Sequence, residues 1–134
     1  MLISEIQQHW EIDSKIDKNI LEQEALLVDA LQYKYANFYY EASIEVSRAI
    51  SNVSRMYLQK DLYYKDINVP MQKPPLKSEV PKHIDADTDY CNAQEVLSEL
   101  VAKQKYIDGI LWTLSKRSAA IMNYNNVVKM KNGI

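Results

Sequence analysis

The chain has 134 residues, 47% of them hydrophobic and 25% charged, and its formal net charge is −2, which does not decide between partner classes. This length allows one domain at most. The sequence contains no run of about 18 apolar residues, so no transmembrane helix is expected. The acidic start MLISEIQQHWEID does not resemble a signal peptide, and a single cysteine, Cys91, is typical of a protein of the reducing cytoplasm.

Helix-breaking residues are confined to one short part of the chain. Pro70, Pro74, Pro75 and Pro81 share a single window, and the chain has only two glycines. Because proline removes a backbone donor and clashes with the preceding turn, the sequence predicts an all-α fold, in which a helical hairpin of two long helices follows short N-terminal helical segments. Two helices cannot close a core alone, so their apolar faces are expected to meet other copies or a partner.

The first half of the chain divides into short helices and one long helix. Residues 1–28 are predicted to form short helical pieces, with capping boxes at Ser4–Gln7 and Asn19–Glu22. The first long helix is predicted over 29–65, with Asp29 as its cap. The proline-containing stretch 66–84 follows as a stiff linker. One domain is expected to span 1–134.

The second long helix is predicted over 85–131, with Asn92 and Glu95 as the best of several possible capping boxes. Its apolar residues recur three and four apart, as in a coiled-coil seam interrupted by polar residues. Flanking apolar residues widen the stripe beyond a dimer seam, which favours a higher oligomer. The residues predicted to mediate oligomerisation are Leu97, Leu100, Ile107, Leu111, Leu114, Ile121 and Val128.

Charge is segregated along the chain. Residues 1–29 hold seven acids against two bases, whereas residues 103–134 hold six bases against Asp108. Such blocks arise from solvated faces and from packing between neighbours, or from bases that gather on one surface to bind an anion. The acidic N-terminal residues are candidates for partner contact or for packing against the basic C-terminal helix.

The sequence holds no catalytic or metal-binding pattern. His9 and His83 lie far apart, and neither has a carboxylate or cysteine at metal-ligand spacing. Cys91 has no histidine nearby in sequence, and two glycines cannot build a phosphate loop. The chain is therefore predicted not to be an enzyme and to hold no metal or cofactor.

Residues 55–65, at the end of the first long helix, have the composition of a nucleic-acid contact. They contain three bases and three tyrosines. Bases neutralise phosphates, and aromatic rings stack on unpaired bases. The alternative is structural, since cations at a helix C-terminus complement its dipole.

Several motifs together resemble the phage UvsY family of recombination mediator proteins, and the resemblance covers nearly the whole chain. They are, in order, residues 10–17 (WEIDSKID), Lys34-Tyr35, Lys60 with Tyr63-Tyr64, Asp85-Ala86-Asp87, and the run from Ile107-Asp108 through Ser115-Lys116-Arg117 and Ala120-Ile121 to Lys129-Met130. Arg117 matches a basic residue of the family's second helix, or it caps a packed seam.

The resemblance implies a protein that binds single-stranded DNA and forms a hexameric or heptameric ring. It also implies contacts with a single-strand-binding protein, which is displaced, and with a RecA-like recombinase, which is loaded. The family's basic-x-basic pattern before the tyrosine pair matches Lys60 but has Leu58 at its first position, where Arg55 or Lys65 could supply the charge. The predicted DNA-binding residues are Arg48, Arg55, Lys60, Tyr63, Tyr64 and Lys65.

The alternative from another class is a coiled-coil scaffold or assembly protein that binds no nucleic acid. In that case the charge blocks would serve only neighbouring subunits. The two hypotheses differ in whether the chain binds an oligo-dT strand.

Overall fold

The computed structural model describes residues 1–15, 21–65 and 76–133 of the chain. Over these residues there is no strand, and the elements are α1 (Ile3–Asp13), α2 (Leu21–Lys65), α3 (Val80–Asp85) and α4 (Thr88–Lys131). The predicted all-α fold with two long helices is confirmed. The Asn19–Glu22 cap and three of the prolines, Pro70, Pro74 and Pro75, fall wholly or partly outside the described residues.

The helix starts differ from the predicted ones. The N-cap of α1 is Leu2, without a side-chain hydrogen bond, so Ser4 lies inside the helix. Helix α2 starts at Leu21 rather than near Asp29, because residues 21–28 (LEQEALLV) are good helix formers and contain no breaker. A cap at Asp29 is therefore not needed.

The end of the predicted linker is helical. Helix α3 occupies its last residues, and Pro81 lies in the first turn, where no intrahelical N–H is required. Helix α4 starts one turn before Asn92, and its cap is Asp87, whose carboxylate accepts a 3.1 Å hydrogen bond from the Tyr90 N–H. The predicted capping box at Asn92 is therefore not the one used.

The chain forms two compact units, to both of which α2 and α4 contribute. The first comprises Met1–Glu41 and Lys103–Ile134. The second is Ala42–Ala102. That a single domain spans the chain stays a prediction.

The core of the first unit is formed by aliphatic residues and one tyrosine. The buried apolar residues are Ile6 of α1, Val28, Leu31 and Tyr35 of α2, and Ile107, Ile110, Leu114 and Ile121 of α4. Tyr35 contacts Trp10 and Phe38 edge-on, with ring centroids 5.6 and 5.3 Å away. Since Ile6 is the only buried residue of α1, this helix packs on the unit through a narrow face.

Polar contacts close the C-terminal end of α1. Arg117 donates hydrogen bonds to the carbonyls of Asp13 (3.2 Å) and Ser14 (2.9 Å), and its guanidinium lies 5.6 Å from the Trp10 ring. A cation at this end also complements the helix dipole. The Asp13 carboxylate accepts hydrogen bonds from Lys34 Nζ (2.7 Å) and the Tyr35 hydroxyl (2.9 Å). Burial, and then this carboxylate, raise the pKa of Tyr35.

The predicted oligomerisation residues differ in how much surface they expose. Ile107, Leu114 and Ile121 are buried in the core of the first unit. Leu97, Leu100 and Leu111 are half-buried, and Val128 is exposed. Much of the seam therefore packs inside the chain, and its role between copies stays a prediction.

The second unit has a smaller core of small and β-branched residues. They are Ala42, Val46 and Ala49 of α2, Val80 and Ile84 of α3, and Ala93 of α4. Alanine occupies little space between helices, so α2 and α4 can approach each other closely here.

Candidate nucleic-acid interface

The six predicted DNA-binding residues all lie on α2 within the second unit, but on different faces of the helix. At 100° per residue, Arg48 and Arg55 are separated by only about 20° around the axis. Lys60 lies about 140° from Arg55. The structure therefore divides the predicted site into an arginine face, with Arg48 and Arg55, and a lysine face, with Lys60.

The arginine face is open. Arg48 and Arg55 are exposed, and neither pairs with a carboxylate in the part of the chain that the structure describes. Leu58 and Leu62, exposed at 63% and 71%, follow Arg55 by three and seven residues and so lie on the same side of the helix. This face therefore offers two available guanidinium groups next to apolar surface.

The lysine face is closed by acids from the start of α4. Lys60 Nζ lies 2.9 Å from an Asp89 carboxylate oxygen and 3.4 Å from one of Asp87. The hydrogen bond to Asp89, ahead of the contacts with Asp87, raises the pKa of Lys60. Lys60 thus has two internal counter-ions where the sequence predicts a phosphate contact.

Asp87 has several roles at once. Its carboxylate accepts a 2.8 Å hydrogen bond from the Tyr64 hydroxyl in addition to capping α4 and pairing with Lys60. Desolvation alone would raise the pKa of Asp87, but the hydrogen bonds from Tyr64, the Tyr90 N–H and Lys60 lower it. The bond to Asp87, followed by burial, raises the pKa of Tyr64.

The two adjacent tyrosines have different environments. Tyr64 is half-buried, stacks on His83 with ring centroids 5.5 Å apart, and is bound to Asp87. Tyr63 is 48% exposed, and Lys60 Nζ lies 5.5 Å from its ring centroid. Tyr63 is therefore the ring available for stacking, whereas Tyr64 links the end of α2 to Asp87 and His83.

Lys65, at the last position of α2, is also paired. Its Nζ lies 3.0 Å from a carboxylate oxygen of Asp61, one helical turn earlier. Both side chains are partly exposed, so this pair contributes little to stability.

Other kinds of site are not found in the described residues. Over 1–15, 21–65 and 76–133, no group of three or more His, Cys, Asp or Glu residues could hold a metal ion. In the same residues no helix is long and apolar enough to cross a membrane.

Comparison with known proteins assigns the chain to a family. Residues 9–134 match the family model described as "Recombination, repair and ssDNA binding protein UvsY". The chain belongs to the UvsY family. It is therefore a member of a family of DNA recombination and repair proteins.

Two solved structures of a bacteriophage T4 protein, titled recombination mediator protein UvsY, share the fold. One has 20% identity and a TM-score of 0.85, with 98% of each chain covered. The other, from a second lattice type, has 19% identity and a TM-score of 0.82, with 98% of this chain and 99% of that chain covered. Among curated protein sequences, none matches significantly.

Many of the residues that resemble the UvsY family lie in two clusters, whereas Ile16 and Asp17 of the first motif fall outside the described residues. Residues 10–15, Lys34-Tyr35 and Arg117 meet around Asp13 in the first unit. Lys60, Tyr63-Tyr64 and Asp85-Ala86-Asp87 meet in the second unit. Arg117 thus has a structural role, capping the end of α1.

Asp87 and Asp89 are the residues of this site that are not predicted from the sequence. In the sequence both are possible caps for the second long helix, and Asp87 also belongs to a motif that resembles the UvsY family. The signal was present in the acidic run at 85–89, which follows the basic end of α2 along the chain. The sequence prediction includes no pairing between these acids and Lys60.

Proposed function

We propose that this UvsY-family chain is a recombination mediator that binds single-stranded DNA through the end of α2. In that role it promotes loading of a RecA-like recombinase onto strands covered by single-strand-binding protein. The observation that carries the DNA-binding step is the pair of exposed guanidinium groups, Arg48 and Arg55, on one face of α2 without an internal carboxylate.

The chemistry of this face fits a single strand. Guanidinium groups bind phosphate oxygens in bidentate geometry. Seven residues along a helix correspond to about 10.5 Å, so Arg48 and Arg55 are far enough apart to contact separate phosphates. Tyr63 adds an exposed ring of the kind on which unpaired bases stack.

A few charges per subunit bind a strand weakly, so assembly is part of the proposal. A hexameric or heptameric ring would present several copies of the face to one strand and raise avidity by about 10²–10⁴. Exposed apolar side chains on the C-terminal part of α4 support association between copies: Trp112, Met122, Tyr124, Val127, Val128 and Met130.

Fluorescence anisotropy with a labelled oligo-dT strand, run beside sedimentation velocity, tests both steps. We expect binding at low salt that weakens as salt rises, by a species larger than one chain. The absence of binding at micromolar protein would contradict the DNA-binding function and favour the coiled-coil scaffold. Adding the single-strand-binding protein and a RecA-like recombinase to the same strand then tests loading.

A further inference from the structure

The two carboxylates that pair with Lys60 are held in very different ways. The Asp87 side chain is 10% exposed, whereas that of Asp89 is 66% exposed. Asp87 accepts hydrogen bonds from the Tyr64 hydroxyl and the Tyr90 N–H in addition to its contact with Lys60. Among the described residues, Lys60 is the donor of the hydrogen bond that the Asp89 carboxylate accepts.

Moving Asp87 away from Lys60 therefore has different consequences from moving Asp89 away. Movement of Asp87 would leave the Tyr64 hydroxyl without its acceptor and α4 without its cap. Movement of Asp89 requires only rotation of an exposed side chain in the first turn of α4. Exposed ion pairs of this kind are weak and screened by salt, so an external anion can compete for Lys60.

We propose that Asp89 is a displaceable internal anion. A phosphate of a single strand replaces the Asp89 carboxylate on Lys60 Nζ, while Asp87 stays in place as a positioning residue. The inference rests on the proposed function and concerns how Lys60, a predicted DNA-binding residue on the lysine face, becomes available to a phosphate.

The surroundings of Lys60 match a nucleotide. The exposed ring of Tyr63 lies next to the ammonium group, so a phosphate on Lys60 places the attached base within reach of a stacking surface. The phosphate takes over the charge-assisted hydrogen bond that Asp89 accepts in the free protein. Because one anion replaces another, Lys60 contributes less to affinity than an unpaired arginine does.

The test is Asp89→Asn, which keeps the size of the side chain and removes its charge. In the anisotropy titration with oligo-dT we expect Asp89→Asn to bind about two- to fivefold more tightly than the wild type, the range for one exposed ion pair. The matched control is Asp85→Asn. Asp85 is an exposed aspartate of the same unit that does not pair with Lys60.

A double variant separates local displacement from a general change in charge. In a Lys60→Ala background, Asp89→Asn is expected to give no more gain than Asp85→Asn gives. A gain in affinity that persists without Lys60 would overturn the inference. The inference would also be overturned if, with Lys60 present, Asp89→Asn changed the affinity no more than Asp85→Asn does. If neither the wild type nor Asp89→Asn binds oligo-dT, the proposed function fails together with the inference.

Discussion

The Tyr64 hydroxyl donates a 2.8 Å hydrogen bond to the Asp87 carboxylate and thereby joins the last turn of α2 to the cap of α4. Residues 66–75, which contain three of the four prolines, lie between these two positions in the sequence. The Asp87 carboxylate therefore links α2 to α4 within the second unit, and its ionisation is open to measurement.

Asp87→Asn tests that ionisation. Because the folded protein lowers the pKa of Asp87 from 3.8, the carboxylate's stabilising contribution is complete above the unfolded-state pKa and is lost as pH falls through the lowered value. Asparagine still caps a helix, so we expect a loss of about 1 kcal/mol at pH 7 that is smaller at pH 3, below the unfolded-state pKa of 3.8. Urea unfolding followed by circular dichroism measures it, with Asp85→Asn as the control. An equal loss at both pH values would contradict the ionic role.

The double variant Arg48→Ala/Arg55→Ala tests the arginine face. Each neutralised phosphate contributes about 0.7 to the slope of log K against log salt for a single strand. We therefore expect weaker oligo-dT binding and a slope smaller by about 1.4. Lys105→Ala/Lys129→Ala, which removes two exposed charges from α4, is the matched control. Equal effects of the two double variants would show that only total charge matters.

Arg117→Met tests the closure of α1. The substitution keeps apolar bulk but removes the donors to the carbonyls of Asp13 and Ser14. We expect amide hydrogens of residues 3–13 to exchange faster and the protein to lose about 1–3 kcal/mol of stability. Arg117→Lys, which keeps the charge but not the planar fork, should recover part of the loss. Unchanged exchange in Arg117→Met would contradict this role.

Tyr35→Phe tests the buried hydroxyl of the first unit. The ring stays in its edge-on contacts with Trp10 and Phe38, and only the hydrogen bond to Asp13 is lost. Since Lys34 still pairs with that carboxylate, we expect a loss of about 1.5 kcal/mol in urea unfolding, typical of a hydrogen bond to a charged group. A neutral result would mean that water replaces the hydroxyl without cost.

Val127→Asp/Val128→Asp tests association through α4. Both side chains are exposed in the single chain, so two charges placed there should disperse an oligomer without a loss of helix content. Asn123→Asp/Asn126→Asp adds the same charge at exposed polar positions of α4. Sedimentation velocity should show a smaller species for the valine variant only. If the valine variant sediments like the wild type, copies associate through another surface.

The existence of α2 and α4 could be predicted because long stretches without proline or glycine have few alternatives to a helix. Their starts could not be predicted as well. Several capping residues compete near 85–92, and packing decides that Asp87 rather than Asn92 is used. In the sequence, residues 21–28 favour a helix only through their propensity, which is a weak signal beside a clear capping box at Asp29.

The composition of the candidate site could be predicted, but its electrostatics could not. Spacing along α2 separates Arg55 from Lys60 on a helix of known geometry. The pairing of Lys60 with Asp89 joins residues that are distant in sequence, and the acidic run at 85–89 does not by itself specify which acid meets which base. The same is true of Ile107 and Leu114, whose heptad spacing is equally compatible with a core inside the chain and a seam between chains.

The hydrogen bonds from Arg117 to the C-terminal end of α1 affect how partner surfaces should be mapped. Deleting the first 15 residues would remove the carbonyl acceptors of Arg117 and the Met1 carbonyl that accepts from Lys103. A truncated protein that failed to bind a recombinase would then report a damaged α4 as readily as a lost contact. Charge reversal at the exposed acids Glu5 and Glu11 leaves those acceptors in place, so it isolates the acidic surface of α1 as a recognition element.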